Sequence, residues 1–297
     1  MQKAIKLYKE PELKNPRLIM AWPDTGYVGL RVIDYLRNKL GAEEFGRIEP
    51  YDFSSVPWIS VKEGVIEALE LMRNGFYYWR NRRKAGNDLI IFKSEQPTAK
   101  LYEYVGLVLD VACQFRVKRL YMAGAFGGVG VTHSEKPTVF GVTNQPGSKE
   151  FLENYGVKLY PEHKGIGNIH SLTQWLAKER NIEAIGLWSP VPHYIARLPF
   201  PWSSYPQSSL SILEKLIELE DIEIDTSELE ASAKRTETEM AKAYNELYEE
   251  AKKEIVYPTA QQPTIYPEGT TEAISDEELR RMIRDIEDFF KRGEGSN

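Results

Sequence analysis

The run Arg17-Leu-Ile-Met-Ala-Trp22 leads directly into Pro23-Asp-Thr-Gly-Tyr-Val-Gly29. Its first six residues are mostly apolar and stop at a proline, which predicts a short buried strand. From Val28 onward apolar residues recur at Val32, Tyr35, Leu36 and Leu40. That spacing is helical, with Asp24 or Thr25 placed to cap the start. Strand, turn and helix in this order form the front half of a βαβ unit.

Working outward, the same alternation repeats. Asp88-Leu-Ile-Ile-Phe92 reads as a strand, and 98–115 as a helix with Leu101, Val105, Val108, Leu109 and Ala112 on one face. Strands at 118–124, 140–143 and 184–188 alternate with helices at 148–155 and 169–180. Between Arg47 and Arg80 the texture is β-rich, and Asn74-Gly75 between 64–72 and 76–79 predicts a hairpin turn there. The expected fold class is α/β: one large domain with a mostly parallel, mixed sheet flanked by helices, plus a helical C-terminal extension.

The expected organisation is an α/β body over 1–225, a helical arm over 226–256, a linker over 257–272 and an amphipathic helix over 273–297. The arm opens at Asp225-Thr-Ser-Glu228 and carries apolar residues at Leu229, Ala233, Met240, Ala243 and Leu247. The linker holds three prolines and four threonines with no period. Ser275-Asp-Glu-Glu278 forms a capping box, and the helix it opens puts Leu279, Ile283, Ile286 and Phe290 on one stripe. Such a stripe needs a surface, so these four are candidate partner contacts.

Composition narrows the classes of function. The 297 residues are 42% apolar with a net charge of −6. The length suffices for a real core, and the charge argues against nucleic acid as the main partner. No apolar run approaches 18 residues, so no membrane span is expected. Met1 to Glu12 is charged, so no signal peptide is expected. The single cysteine, Cys113, excludes an intramolecular disulfide and a cysteine zinc knuckle. It lies in the apolar pattern of the 98–115 helix and reads as a core residue. A cytoplasmic protein is the expectation.

Three strand-to-helix junctions are rich in glycine: Gly26 and Gly29; Gly124, Gly127, Gly128 and Gly130; Gly165 and Gly167. Free amides at a helix start favour anions, and ligands of α/β sheets bind at the carboxyl ends of strands. Tight corners alone would also use glycine. No G-x-G-x-x-G follows a strand and no Walker lysine follows the glycines. His133, His163, His170 and His193 show no metal-ligand spacing, and no G-x-S-x-G elbow is present. No cofactor and no metal are therefore expected. His133 and His170 follow glycine turns and have the chemistry of a general acid or base, or of hydrogen-bonded loop residues. Asp24 reads either as a base or as a helix cap. The proline-rich stretch 190–206 holds His193, Tyr194, Phe200, Trp202 and Tyr205, which suits a protein interface or a loop folded over its own core.

The order of these features resembles the PAC2 family, the proteasome-assembly-chaperone-2-like proteins of archaea and bacteria. The resemblance runs from about Leu18 to Leu229. It rests on Pro23-x-x-Gly26-x-x-Gly29 after the first strand, Asp88-Leu-Ile-Ile before Glu95-Gln-Pro97, and Phe115-Arg-Val-Lys-Arg before a strand with Gly124. Gly165-Ile-Gly-Asn, Pro192-His-Tyr194 and Ile224-Asp-Thr-Ser-Glu-Leu229 continue it. The resemblance implies a nucleoside-phosphorylase-like fold, homo-oligomers, and assembly-chaperone rather than enzyme work. It also implies protein partners, the proteasome among the candidates. Some archaeal members dock on the proteasome through a tail of hydrophobic residue, tyrosine and any residue. The sequence here ends Gly293-Glu-Gly-Ser-Asn297, so that docking mode is expected to be absent. The competing expectation is an enzyme that takes a small anionic or nucleoside-like substrate at the glycine-rich strand ends.

Overall fold

Residues 17–21 do form a strand, and it lies at the centre of the sheet. The computed structural model describes residues 4–54, 58–84, 86–128, 131–133, 135–162, 164–196 and 204–254. The strands are β1 (Ile5–Leu7), β2 (Arg17–Ala21), β3 (Glu43–Ile48), β4 (Trp58–Lys62), β5 (Val65–Glu70) and β6 (Asn74–Trp79). They continue as β7 (Leu89–Ser94), β8 (Arg119–Gly128), β9 (Phe140–Thr143), β10 (Lys158–Leu159) and β11 (Glu183–Pro192). The helices are α1 (Val28–Leu40), α2 (Leu101–Gln114), α3 (Ser148–Asn154), α4 (Ile169–Glu179), α5 (His193–Ala196), α6 (Pro206–Glu220) and α7 (Ser227–Glu254).

Nine of the described strands form one mixed sheet in the order β1-β3-β6-β7-β2-β8-β11-β9-β10. Its centre, β7-β2-β8-β11, is parallel throughout, with Ile19 facing Ile91 on one side and Tyr121 on the other. Strands buried on both faces read as unbroken apolar runs, which is why Leu18 to Trp22 shows no alternation. The pleat sends Ile19 and Ala21 to one layer, with α1, α6 and the start of α7. Leu18, Met20 and Trp22 go to the other, with α2 and α4. Leu229 and Ala233 carry α7 into the first of these cores. No helix among the described residues is long and apolar enough to cross a membrane.

At the amino-terminal edge of the sheet a buried carboxylate ties α6 down. Glu220 accepts from the Tyr121 hydroxyl at 2.6 Å, from Asn87 Nδ2 at 2.9 Å and from Arg17 Nε at 3.3 Å.

Three expectations are corrected. Asn74 and Gly75 do not turn the chain. They open β6, where the Asn74 amide pairs both backbone groups of Ile48, and β6 joins the main sheet between β3 and β7. The turn is Glu63-Gly64, with both residues at positive φ (51° and 80°), and it joins β4 to β5 as a separate hairpin. Gly124, Gly127 and Gly128 likewise do not form a strand-to-helix turn. All three lie inside β8, which runs four residues past the expected end at Gly124. Cys113 is exposed, on the outer side of α2.

Candidate functional site at the carboxyl ends of the parallel strands

The carboxyl ends of β2, β8 and β11 bring two groups of the expected residues together, one on each face. On the α1 face, β2 gives way to Asp24 and a single 3-10 turn, Thr25–Tyr27, in which Gly26 takes φ 70°. Asp24 accepts the Gly29 amide, at 3.0 Å to Oδ2 and 3.3 Å to Oδ1. It therefore holds the first turn of α1, where free amides favour a negative group. Gly29 has no room for a side chain: a Cβ there would stand 2.2 Å from the Ala123 carbonyl oxygen. The start of α1 thus rests directly on the β8 backbone. Burial pushes the Asp24 carboxyl up to about 7, against the opposing pull of the Gly29, Ala125 and Val28 amides.

Around this corner several polar groups bond locally, although Arg31 Nε is buried with no hydrogen-bond partner among the described residues. Ser208 Oγ donates to the Pro190 carbonyl at 2.7 Å, and Ser209 Oγ to that of Val28 at 3.2 Å. Arg31 bonds Ser204, and burial holds its guanidinium below its ordinary range. His193 opens α5, with its Nδ1 4.0 Å from where a Gly127 Cβ would sit. Tyr194 lies in the same short helix. His133 is buried just beyond β8.

On the α2/α4 face the centre is Trp188. Its ring lies across the β8 and β11 backbones, over Gly124 and Gly186. A Cβ at Gly124 would stand 2.3 Å from ring atom Cζ3, and one at Gly186 would stand 2.6 Å from Nε1. Those glycines make room for an indole rather than for a ligand. His170, 5% exposed, meets the Trp188 ring edge-on at 4.7 Å and the Trp22 ring at 5.4 Å. Burial lowers its pKa to about 4, so the ring is neutral at pH 7. Its Nε2 has no hydrogen-bond partner among the described residues.

Beside Trp188 opens a cavity of about 330 Å³, walled by Phe126, Tyr160, Ile166, Asn168 and Gln174. Phe126, Phe140 and Tyr160 meet edge-on with centroids 5.5 to 6.0 Å apart. Gly165-Ile-Gly-Asn168 opens α4 as expected. Asn168 Oδ1 accepts the amides of His170 and Ser171, and Ser171 Oγ accepts that of Asn168. The amides that would greet an anion are thereby already bonded. Gln174 Nε2 is held by the Val142 carbonyl at 2.8 Å.

The expected residues thus divide. Asp24, Gly26, Gly29, Gly127 and His193 share one face, and Gly124, Gly165 and Gly167 the other. Trp202, Gly130, His163, and the stripe Leu279, Ile283, Ile286 and Phe290 lie outside the described residues. The reading by sequence missed Trp22, Phe126, Tyr160 and Trp188. For Trp188 alone a signal was available: Gly186-Leu-Trp188 places a glycine two residues from an indole on the same strand face. Among the described residues no three His, Cys, Asp or Glu side chains are grouped to hold a metal.

A parallel-centred, mixed α/β sheet flanked by helices, with Asp24 and Asn168 bonded to backbone amides at its strand ends, defines the class. The chain belongs to the PAC2 family, whose model matches residues 18–244. It is 26% identical over 227 residues to the uncharacterized protein MJ1210 of Methanocaldococcus jannaschii, covering 76% of this chain and 81% of that one. Its fold is similar to Pyrococcus furiosus PbaB, described as an archaeal proteasome activator (TM-score 0.67, 23% identity, 81% of this chain, 98% of that one). It is also similar to Rv2125 of Mycobacterium tuberculosis, described as a proteasome-assembly chaperone homologue (TM-score 0.65, 18% identity, 82% and 97%).

Proposed function

We propose that this PAC2 protein is a non-enzymatic, homo-oligomeric, cytoplasmic protein that binds other proteins as an assembly chaperone or scaffold. The observation that carries the reading is the state of the strand ends. Asp24 is spent on Gly29 and Asn168 on α4, so these two groups, which would grip a substrate, already grip the fold. The family and the descriptions of the similar structures support protein partners, with the proteasome among the candidates. The candidate contacts are the α5 corner with His193 and Tyr194, the segment holding Trp202, and the stripe Leu279, Ile283, Ile286 and Phe290. The division into an α/β body, helical arm, linker and terminal helix belongs to the same proposal.

Affinity capture of the full chain from its native host, followed by mass spectrometry, tests it. A stable set of co-purifying proteins is expected, and truncation after Pro267 should thin that set without lowering the melting temperature. A capture indistinguishable from a mock bait overturns the reading. A second reading, a small aromatic or nucleoside-like ligand, is favoured by the cavity beside Trp188 and the unbonded His170 Nε2. A thermal-shift screen over nucleosides, phosphates and divalent metals separates the two, because a ligand at 100 times its Kd stabilises by about 2.7 kcal/mol.

A further inference from the structure

The β4–β5 hairpin hydrogen-bonds to no other described strand. A lone two-stranded hairpin is marginal in water and gains stability from a third strand or an apolar cover. Ile59, Val61, Val65 and Ile66 are each more than half exposed. The register sets Val61 against Ile66, so Ile59, Val61 and Ile66 share one face.

The two open edges are not alike. On β5 the register jumps from Ser60↔Ala68 to Val61↔Ile66, leaving Glu67 as an extra, bulged residue. Bulges and charges guard an edge against pairing. Thus β5 carries a bulge and a charge in mid-strand, whereas β4 has an unbulged backbone and a charge, Lys62, only at its end. The segment 58–62 is also self-complementary. Laid antiparallel on itself about Ser60, it sets Ile59 across from Val61 and position 58 across from Lys62. No two like charges meet.

We infer that the unguarded β4 edge pairs antiparallel with β4 of a second copy of this chain, about a twofold axis at Ser60. Two hairpins become one four-stranded sheet, and the apolar side chains at 59, 61 and 66 of both copies form one strip on a single face. This rests on the homo-oligomer reading above and names the surface that serves it. An isologous contact of this kind closes on itself.

Two measurements on the full chain test it. Native mass spectrometry and light scattering give the mass of the wild type and of Ile59→Lys and Val61→Lys, exposed positions that leave the core intact. Separately, Ser60→Cys is made in a Cys113→Ser background and oxidised. Facing residues of an antiparallel pair bring Cα atoms to about 4.5–5.5 Å, within disulfide reach. Three results are expected: an oligomeric wild type, a mass reduced by at least twofold in the lysine variants at an unchanged melting temperature, and a disulfide between the introduced thiols of two copies. An oligomeric wild type with unaltered variants and no crosslink overturns the β4 pairing but leaves the homo-oligomer reading standing. A wild type that is monomeric at every concentration overturns both, including where the hairpin docks on a different protein.

Discussion

The Tyr121 hydroxyl of β8 donates to Oε1 of Glu220, the last residue of α6, at 2.6 Å, and both side chains are buried. The other carboxylate oxygen is served by Asn87 and Arg17. Burial and the neighbouring carboxylate hold the phenol well above its ordinary range, so it stays a donor. Tyr121→Phe removes a hydrogen bond to a carboxylate and leaves Oε1 with only the Arg119 guanidinium, 4.0 Å away. The expected loss is about 1.5–3 kcal/mol of unfolding free energy, read from urea melts with an unchanged m-value. An unshifted midpoint would mean that water serves Glu220 equally well.

Asp24 sets one pH dependence. Its folded pKa, about 7, stands above the ordinary 3.8. Between these values the folded state holds the proton more tightly than the unfolded state. The contribution to stability is full below pH 3.8 and is lost as the pH rises through 7. Its slope reaches at most about 1.4 kcal/mol per pH unit. Stability of the wild type minus that of Asp24→Asn should therefore fall from pH 4 to pH 7 and level off above. A flat difference would place the carboxylate in ready contact with solvent.

His170 works with the opposite sign. Its folded pKa is about 4, below the ordinary 6.5, because a charged imidazole has no solvation between two indoles. Its contribution is present above pH 6.5 and is lost as the pH falls through 4. Proton NMR of the imidazole over pH 3–8 should show a midpoint near 4. A midpoint near 6.5 would reveal water or a counter-charge beside Nε2.

Gly124 and Trp188 should be coupled. Gly124→Ala pushes a methyl group into the indole, an overpacking that costs about 1–3 kcal/mol. In a Trp188→Ala background the obstacle is gone, so the second change should cost far less. The cycle is read from denaturant melts. Additive losses would show that Gly124 is required by its backbone and not by the ring.

What the sequence revealed follows from how locally each feature is encoded. The Asp24–Gly29 corner was legible because the side chain bonds a backbone group within five residues. The helix start after Gly165-Ile-Gly-Asn168 was legible too, though not the cap that Asn168 makes. The central strands were legible because burial on both faces leaves an unbroken apolar run. Asn74-Gly75 misled because the same pair that makes a turn also serves a strand start, and only Ile48, 26 residues away, decides. Gly124 misled for a similar reason: its partner is an indole on β11. The Trp22–His170–Trp188 group is assembled from three distant segments, and of it only the Gly186-Leu-Trp188 spacing is a local pattern.

The Glu220 anchor also bears on how the protein is made. Arg17 opens the central strand, yet its side-chain partner lies 203 residues later, and its β8 neighbour, Arg119, about halfway between. At about 5–20 residues per second of synthesis, Arg17 waits roughly 10–40 s for Glu220. Both neighbours of β2, the strands β7 and β8, are made by about halfway through that interval, but the sheet face that carries Ile19 and Ala21 lacks its α6 cover until the end. A ribosome stalled before α6 would therefore present part of that apolar face, the part that Leu210, Leu213 and Leu216 cover in the finished chain.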